Sequence, residues 1–293
     1  DISFTVPADD LAQALDVTRA VAKALGAAGV SHDDSMAKVS VVGVGMAREE
    51  GVAGRMFQAL SREGINVRMI TTSEIKISVL IDRADCAKAV KAAHAAFGLD
   101  AQEKDTPEAT GPGATPAKSS PLDVVRRLEG MEDLAVEDCQ LDSSQALVTF
   151  TDLPDTPGVA ADVFEEVGKA KLFVDMIVQS AADAGAGAGR TNVLFTVPKS
   201  DLARVRTLLD EIAKNVGARG VHYADDVVKV SIVGLGMRSH AGIAAKMFEL
   251  LAKESINIQA ISTSEIKVSC LIAAKYTELA VRTLHSLYGL DKA

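Results

Sequence analysis

The chain repeats itself, and that restricts it to folds that can be built twice. Shifted by 191 residues, so that Val39 falls on Val230, VSVVGVGMAREEGVAGRMFQALSREGIN aligns without a gap on VSIVGLGMRSHAGIAAKMFELLAKESIN. The match runs on through ITTSEIKISVLI (70–81) and ISTSEIKVSCLI (261–272), and DISFTVPADDLA (1–12) falls on NVLFTVPKSDLA (192–203). A weaker repeat lies inside the second copy: LVTFTDLPDTPGVAADVFEEVGKAKLFVDMIVQS, from Leu147, resembles the string from Lys229 at a spacing near 84, with Gly158 on Gly242 and Phe164 on Phe248. Repeats of this kind are supersecondary units that bury their apolar faces against a neighbour. Four modules are implied, at 1–30, 37–100, 143–226 and 227–293. The front half of the first would lie before Asp1, so the chain is read as a fragment that begins inside a module.

Residues 101–121, AQEKDTPEATGPGATPAKSSP, carry Pro, Gly, Ala, Thr and Ser with no apolar period. Such a stretch cannot bury enough surface to offset its ordering entropy and is read as a flexible linker. Residues 122–142 follow as a lead-in helix and a strand.

The third module shows the pattern of one unit. QALVTFT is a strand by its alternation and β-branched content. DTPG turns the chain, with Pro157 in the first turn of a helix marked by Val159, Val163, Phe164 and Val167. KLFVDMIVQ (171–179) is a second strand, DAGAGAG a hairpin loop and TNVLFTVP a third strand. KSDLARVRTLLDEIAKN is an amphipathic helix with Ser200 as its expected N-cap, and GVHYAD is a fourth strand. The order β-α-β-β-α-β is the split ferredoxin-like arrangement, an α+β fold with two helices on one face of an antiparallel sheet. By the same reading ISFTVP (2–7) is a strand. The last module reaches its second helix and stops, one strand short. LAVEDCQLD (134–142) has no slot in the third module, so it is expected to cross over and complete the fourth, giving nested modules.

Composition removes several function classes. The formal charge is -9 with no basic face, which argues against a nucleic-acid partner. Cys86, Cys139 and Cys270 are too few for a disulfide framework and are expected as small apolar residues in a reducing cytoplasm. No apolar run has the length of a membrane span, and no signal peptide is visible. GVGMAREEG and GLGMRSHAG follow strands and precede helices, but the sheet is not a parallel βαβ one and no acidic residue follows at the right distance. They are read as tight turns, not dinucleotide sites. None of the five histidines has a partner at metal-ligand spacing. His94 and His285 fall on equivalent surface helices, and His240 at a helix start. No catalytic or metal-binding residue is assigned.

Two elements carry a possible site. In DTPGVA, free N–H groups at a helix start attract a carboxylate, Gly158 permits close approach, and Asp155 could hold an ammonium. At the end of the second strand, Asp175, Gln179 and Ser180 could pair with the rest of a zwitterion. A well-capped helix beside a polar strand end explains the same residues, and both readings stand. Thr72, Ser73 and Glu74, with Thr263, Ser264 and Glu265, occupy the equivalent strand ends of the second and fourth modules. The triplet is unchanged between copies while Met69 faces Ala260, which favours an interface or functional role over a plain hairpin turn.

The strings VSIVGLGMRSHAGIAAKMF, INIQAISTSEIKVSCLI, LHSLYGLD, DLPDTPGVAADVF, VDMIVQS and NVLFTVP resemble the regulatory region of aspartate kinases, and the likeness covers nearly the whole chain apart from the linker. That region is built from ACT modules, small βαββαβ units that bind amino acids and can be nested. The resemblance implies feedback inhibition by lysine, threonine or both, bound between paired ACT modules. It implies a parent enzyme that phosphorylates aspartate with ATP and magnesium at the head of lysine, threonine, methionine and isoleucine synthesis. Carried onto this chain, the effector positions are Asp155, Gly158, Val159, Ala160, Asp175, Met176 and Gln179. Thr263, Ser264 and Glu265, and in the first copy Thr72, Ser73 and Glu74, approach from a partner module. Ser180 stands where the family often has Asn. Nothing resembles the amino-acid kinase domain, so this chain is expected to need no cofactor and to be inactive alone, with that domain upstream. It is expected to form a homo-oligomer through ACT pairing. The alternatives are a stand-alone regulatory subunit and an oligomerisation scaffold without ligand.

Overall fold

The computed structural model describes residues 2–43, 46, 51–99, 135–180, 189–235, 237 and 242–290. The linker, the lead-in helix and His240 lie outside them. In chain order the elements are α1 (Leu11–Leu25), β1 (Met36–Val42), α2 (Val52–Arg62), β2 (Met69–Ser73), β3 (Lys76–Asp82) and α3 (Cys86–Phe97). After the linker come β4 (Ala135–Asp142), β5 (Gln145–Pro154), α4 (Val159–Lys169), β6 (Ile177–Gln179), β7 (Arg190–Pro198), α5 (Lys199–Asn215) and β8 (Gly220–Ala224). The last module holds β9 (Val227–Leu235), α6 (Ile243–Lys253), β10 (Ile258–Thr263), β11 (Lys267–Ala273) and α7 (Thr277–Tyr288).

These elements form an α+β molecule with two antiparallel sheets. One has seven strands in the order β1-β3-β2-β6-β7-β5-β8, and the other four in the order β10-β11-β9-β4. The seven-stranded sheet is made of two modules set edge to edge. Their boundary is the antiparallel pair β2–β6, with Ile70 opposite Gln179 and Thr71 opposite Val178. In the four-stranded sheet β4 lies along β9, from Ala135 opposite Leu235 to Asp142 opposite Lys229. That edge strand takes up the N–H and C=O groups that β9 would otherwise leave open.

The duplication is visible in detail. Ser40 and Ser78 share a hydroxyl hydrogen bond of 2.8 Å across β1–β3, and their counterparts Ser231 and Ser269 share one of 2.8 Å across β9–β11. Each helix start after the first strand uses a glycine at positive φ, 77° at Gly51, 102° at Gly158 and 103° at Gly242. L side chains avoid that region, which accounts for the spacing of these glycines in the sequence.

Helices α2 and α4 pack across the module boundary, so the two modules share one core. Phe57 of α2 meets Phe164 of α4 at 5.4 Å between ring centres, and Phe164 meets Phe195 of β7 at 5.4 Å. The helices approach this closely because of glycines. A Cβ on Gly54 would lie 2.8 Å from the Phe164 carbonyl oxygen, and one on Gly168 would lie 3.3 Å from the Gly51 Cα. The fourth module buries a separate core around Met247, Leu251, Cys270 and Leu284. A third, smaller cluster joins the helix-free faces of the two sheets through Leu147, Met176, Val227, Ala260 and Leu271.

Four expectations are corrected. Pro157 is not in the first turn of α4: it lies one residue before the N-cap Gly158. ISFTVP forms no strand: its counterpart in β7 is paired on both sides by β5 and β6, whereas residues 2–7 have no neighbouring strand among the described residues to take their backbone groups. Accordingly α1 leaves Val17, Val21 and Leu25 exposed, where the counterpart of Val21, Ile212 of α5, is buried and those of Val17 and Leu25, Leu208 and Val216, pack against the core. The second strand of the third module is three residues long, not nine. Thr196 takes the Met176 N–H on its hydroxyl at 3.1 Å and the Asp175 N–H on its carbonyl at 3.3 Å, so a side chain displaces a regular ladder. Ser200 is not an N-cap. Helix α5 starts at Lys199 behind Pro198, with no side-chain cap.

Burial shifts two of the thiols. Cys139 is pushed up to about 11 by burial and then by the Asp138 carboxylate, and Cys270 to about 12 by burial. At pH 8 a thiol of pKa near 11 is only about 0.1% thiolate. Iodoacetamide at pH 8 should therefore label neither residue in the native chain on the timescale that labels both in urea, and fast native labelling of Cys139 would contradict this packing. Gly54→Ala should destabilise the chain by about 1–3 kcal/mol in urea unfolding, because the α2–α4 backbones must separate. An unchanged midpoint would contradict the close approach.

Candidate functional site

The site grows out of the β2–β6 junction. Two backbone pairs make a short ladder, and side chains lengthen it at both ends. At one end the buried Gln179 donates from Nε2 to the Val67 carbonyl at 3.1 Å. At the other, the Thr72 hydroxyl accepts the Ile177 N–H at 2.7 Å and donates to the Asp175 carbonyl at 3.3 Å.

Next to Gln179 a pocket opens between the second and third modules. It is lined from one side by Phe57, Ile65, Asn66 and Val67, and from the other by residues 153–156, 158–161, Gln179, Thr191 and Val193. The start of α4 forms one wall. Gly158 occupies its N-cap position and offers no side-chain cap, so the first-turn amides of Ala160 and Ala161 have no acceptor within the helix. Those amides and the helix dipole favour a negative group there. The opposite requirement sits on Gln179. The residue is only 3% exposed, and its buried Oε1 has no hydrogen-bond partner among the described residues. A buried acceptor left alone costs about 1–3 kcal/mol, which a donor entering the pocket would recover.

Asp155 lies at the pocket rim with its side chain 3% exposed, and it is already engaged. Asn66 donates from Nδ2 to Oδ1 at 3.0 Å, and Arg68 pairs with Oδ2 at 3.1 Å. The carboxylate therefore ties the two modules together instead of standing open for an ammonium. Asn66 and Arg68 were not among the expected residues. A signal for Asn66 was present, since Ile65-Asn66 recurs as Ile256-Asn257 across the duplication.

The structure divides the expected site residues into two groups. Asp155, Gly158, Val159, Ala160 and Gln179 surround the pocket just described. Thr72, Ser73, Glu74, Asp175, Met176 and Ser264 instead line a polar cleft with Lys229, Ser262, Lys267 and Ser269, where the second, third and fourth modules meet. There Lys229 is paired with Asp175, and Lys267 with Glu74. Glu265 pairs with Lys76 beside it, and Thr263 ends β10. Met176 is 3% exposed and packs in the apolar cluster between the sheets. The Thr-Ser-Glu triplets thus do not close over the Asp155 pocket. Ile65, Asn66 and Val67 take that place, because the β2–β6 register sets the start of β2, not its end, opposite the α4 N-terminus. At the cleft, Asp142 also reaches Lys229, at 3.8 Å. Burial pushes the Asp142 carboxyl up, but the Ser144 hydroxyl and amide, with Lys229 and Gln145, outweigh it and hold the group below its ordinary value. Among the described residues no cluster of His, Cys, Asp or Glu could hold a metal ion, and no helix is long and apolar enough to cross a membrane.

Comparison with known proteins places this geometry. The ACT domain family model matches residues 39–97, 151–212 and 230–288. The aspartokinase of Pseudomonas aeruginosa is 48% identical over 163 residues, 56% of this chain and 39% of that protein. The aspartokinase of Corynebacterium glutamicum is 39% identical over 165 residues, 55% of this chain and 39% of that protein. The chain thus spans about two fifths of the length of these relatives. The crystal structure of aspartate kinase from Synechocystis superposes with a TM-score of 0.79 at 34% identity, over 96% of this chain and 46% of that one. The chain belongs to the ACT domain family, with its modules set out as they are in an aspartate kinase.

Proposed function

We propose that this chain is the effector-sensing region of an aspartate kinase and that the pocket between its second and third modules binds a free amino acid. The observation that carries the reading is the buried, unpartnered Oε1 of Gln179 in the same pocket as the open amides of α4. A zwitterion needs both: N–H donors for its carboxylate and a carbonyl-type acceptor for its ammonium. An architectural pairing alone would gain nothing from leaving that acceptor buried and empty.

The remaining wall is mostly apolar, from Phe57, Ile65, Val67, Leu153, Val159 and Val193, with the Thr191 hydroxyl among them. Asp155, the acidic residue of the described lining, is committed to Asn66 and Arg68. A long cationic side chain would find no free carboxylate there. Of lysine and threonine, this pocket favours the short, uncharged threonine. Binding that tightens the junction of the two modules would feed back on the ATP-dependent phosphorylation of aspartate by a kinase domain elsewhere in the protein. ACT pairing between chains belongs to the same proposal, since β10 is an edge strand of its sheet.

Isothermal titration of the chain with threonine, lysine and methionine tests this. Threonine should bind saturably and more tightly than lysine, methionine should give no saturable heat, and Gln179→Leu should weaken threonine at least about tenfold, the loss of one hydrogen bond to a charged group. Absence of binding by both threonine and lysine, or binding indifferent to Gln179→Leu, would overturn the assignment.

A further inference from the structure

The polar cleft holds a contact that the effector pocket does not explain. By the shift of 191 residues, Lys76 is the counterpart of Lys267 and Glu74 of Glu265. Each lysine reaches across to the glutamate of the other copy, Lys76 to Glu265 and Lys267 to Glu74. The two TSEIK hairpins therefore clasp each other about a local pseudo-twofold axis. Three of the four side chains are largely enclosed, Lys76 at 20%, Glu265 at 14% and Lys267 at 15% exposed, so solvent screens the pairs less than an ordinary surface bridge. Between them the Ser262 hydroxyl donates to the Thr72 carbonyl at 2.8 Å.

The clasp is wired into β6. Thr72, whose carbonyl takes the Ser262 hydrogen bond, places its own hydroxyl on the Ile177 N–H and the Asp175 carbonyl. The Asp175 carboxylate is held in turn by Lys229 of the fourth module. Gln179, which lines the pocket and whose Oε1 is buried without a partner among the described residues, is two residues beyond Ile177 on the same strand. The three residues of β6 thus connect the pocket to the clasp with no loop between.

We propose that the reciprocal Lys–Glu clasp is a coupling latch: it fixes the fourth module to β6, so that restraint of β6 at Gln179 is felt at residues 262–270, and release of the clasp loosens β6. The mechanical link stands on the contacts above. Its use in sensing an amino acid rests on the reading of the pocket given under Proposed function. Coupling of this kind needs an element with two arrangements that both sites bias, and the latch assigns that role to β6, the three-residue strand between the two modules.

Amide hydrogen exchange on the whole chain without ligand tests the latch apart from the effector. Lys76→Glu sets two carboxylates against each other and should speed exchange about fivefold or more, both in 262–270 and in 177–179. The swap Lys76→Glu with Glu265→Lys should return both segments to within about twofold of the parent. If Lys76→Glu unfolds the chain, Lys76→Met supplies the single-site comparison. Faster exchange confined to 262–270, or no recovery in the swap, overturns the latch. Threonine added to the parent should slow exchange in both segments; if it binds but protects only 177–179, the coupling is wrong. If it does not bind, the effector assignment falls, and the ligand-free comparison alone decides the latch.

Discussion

The two-residue ladder between β2 and β6 is the interaction on which the rest of the molecule depends. It aligns two modules into one sheet, and that alignment puts the loop before β2 against the N-terminus of α4. So short a ladder would be weak alone. It holds because side chains extend it, Gln179 to the Val67 carbonyl and Thr72 to Ile177 and Asp175. Behind it α2 and α4 meet at glycine-permitted distance, and Phe57, Phe164 and Phe195 run as a row of rings through both modules. Burial of those rings outweighs any single polar contact at the rim. The polar contacts set register and leave one acceptor waiting.

Duplication supplied the parts, but equivalent residues now do different work. Asn66 bridges to Asp155, while its counterpart Asn257 is exposed, because no module is paired against that strand edge among the described residues. Arg68 pairs with Asp155 where the second copy has Gln259. The hairpins have instead kept their identity, since each TSEIK needs the other's glutamate and lysine. A reciprocal contact constrains both copies together, which gives a physical reason for the triplet's persistence beside the drift of Met69 to Ala260.

Much of this could be read from the residues. The repeat, the βαββαβ order and the missing last strand of the fourth module follow from period and count, and β4 lies on the open edge of β9. The pocket glycine was legible because positive φ at a helix start selects glycine, whereas Pro157 stands one residue before that N-cap and not in the first turn. What could not be read was the pairing between modules, which periodicity does not encode. Without the β2–β6 register, the Thr-Ser-Glu ends and the Asp155 loop look like halves of one site, when they lie at opposite ends of a short ladder. Asp155 looked free to take an ammonium for the same reason: its partners Asn66 and Arg68 are 89 and 87 residues away in sequence. The length of β6 was misjudged because a threonine hydroxyl on the neighbouring strand replaced a backbone acceptor.

The central claim is that an amino acid sits between the two modules, carboxylate on α4 and ammonium on Gln179. Nuclear magnetic resonance titration with threonine addresses it directly, following the backbone amides of residues 159–161 and the side-chain amides of Gln179 and Asn66. The account predicts that the largest shifts fall on Ala160, Ala161 and the Gln179 side chain, with smaller ones along β6. Shifts centred on residues 72–74 and 262–269, with the α4 amides unmoved, would place the ligand in the cleft and contradict it.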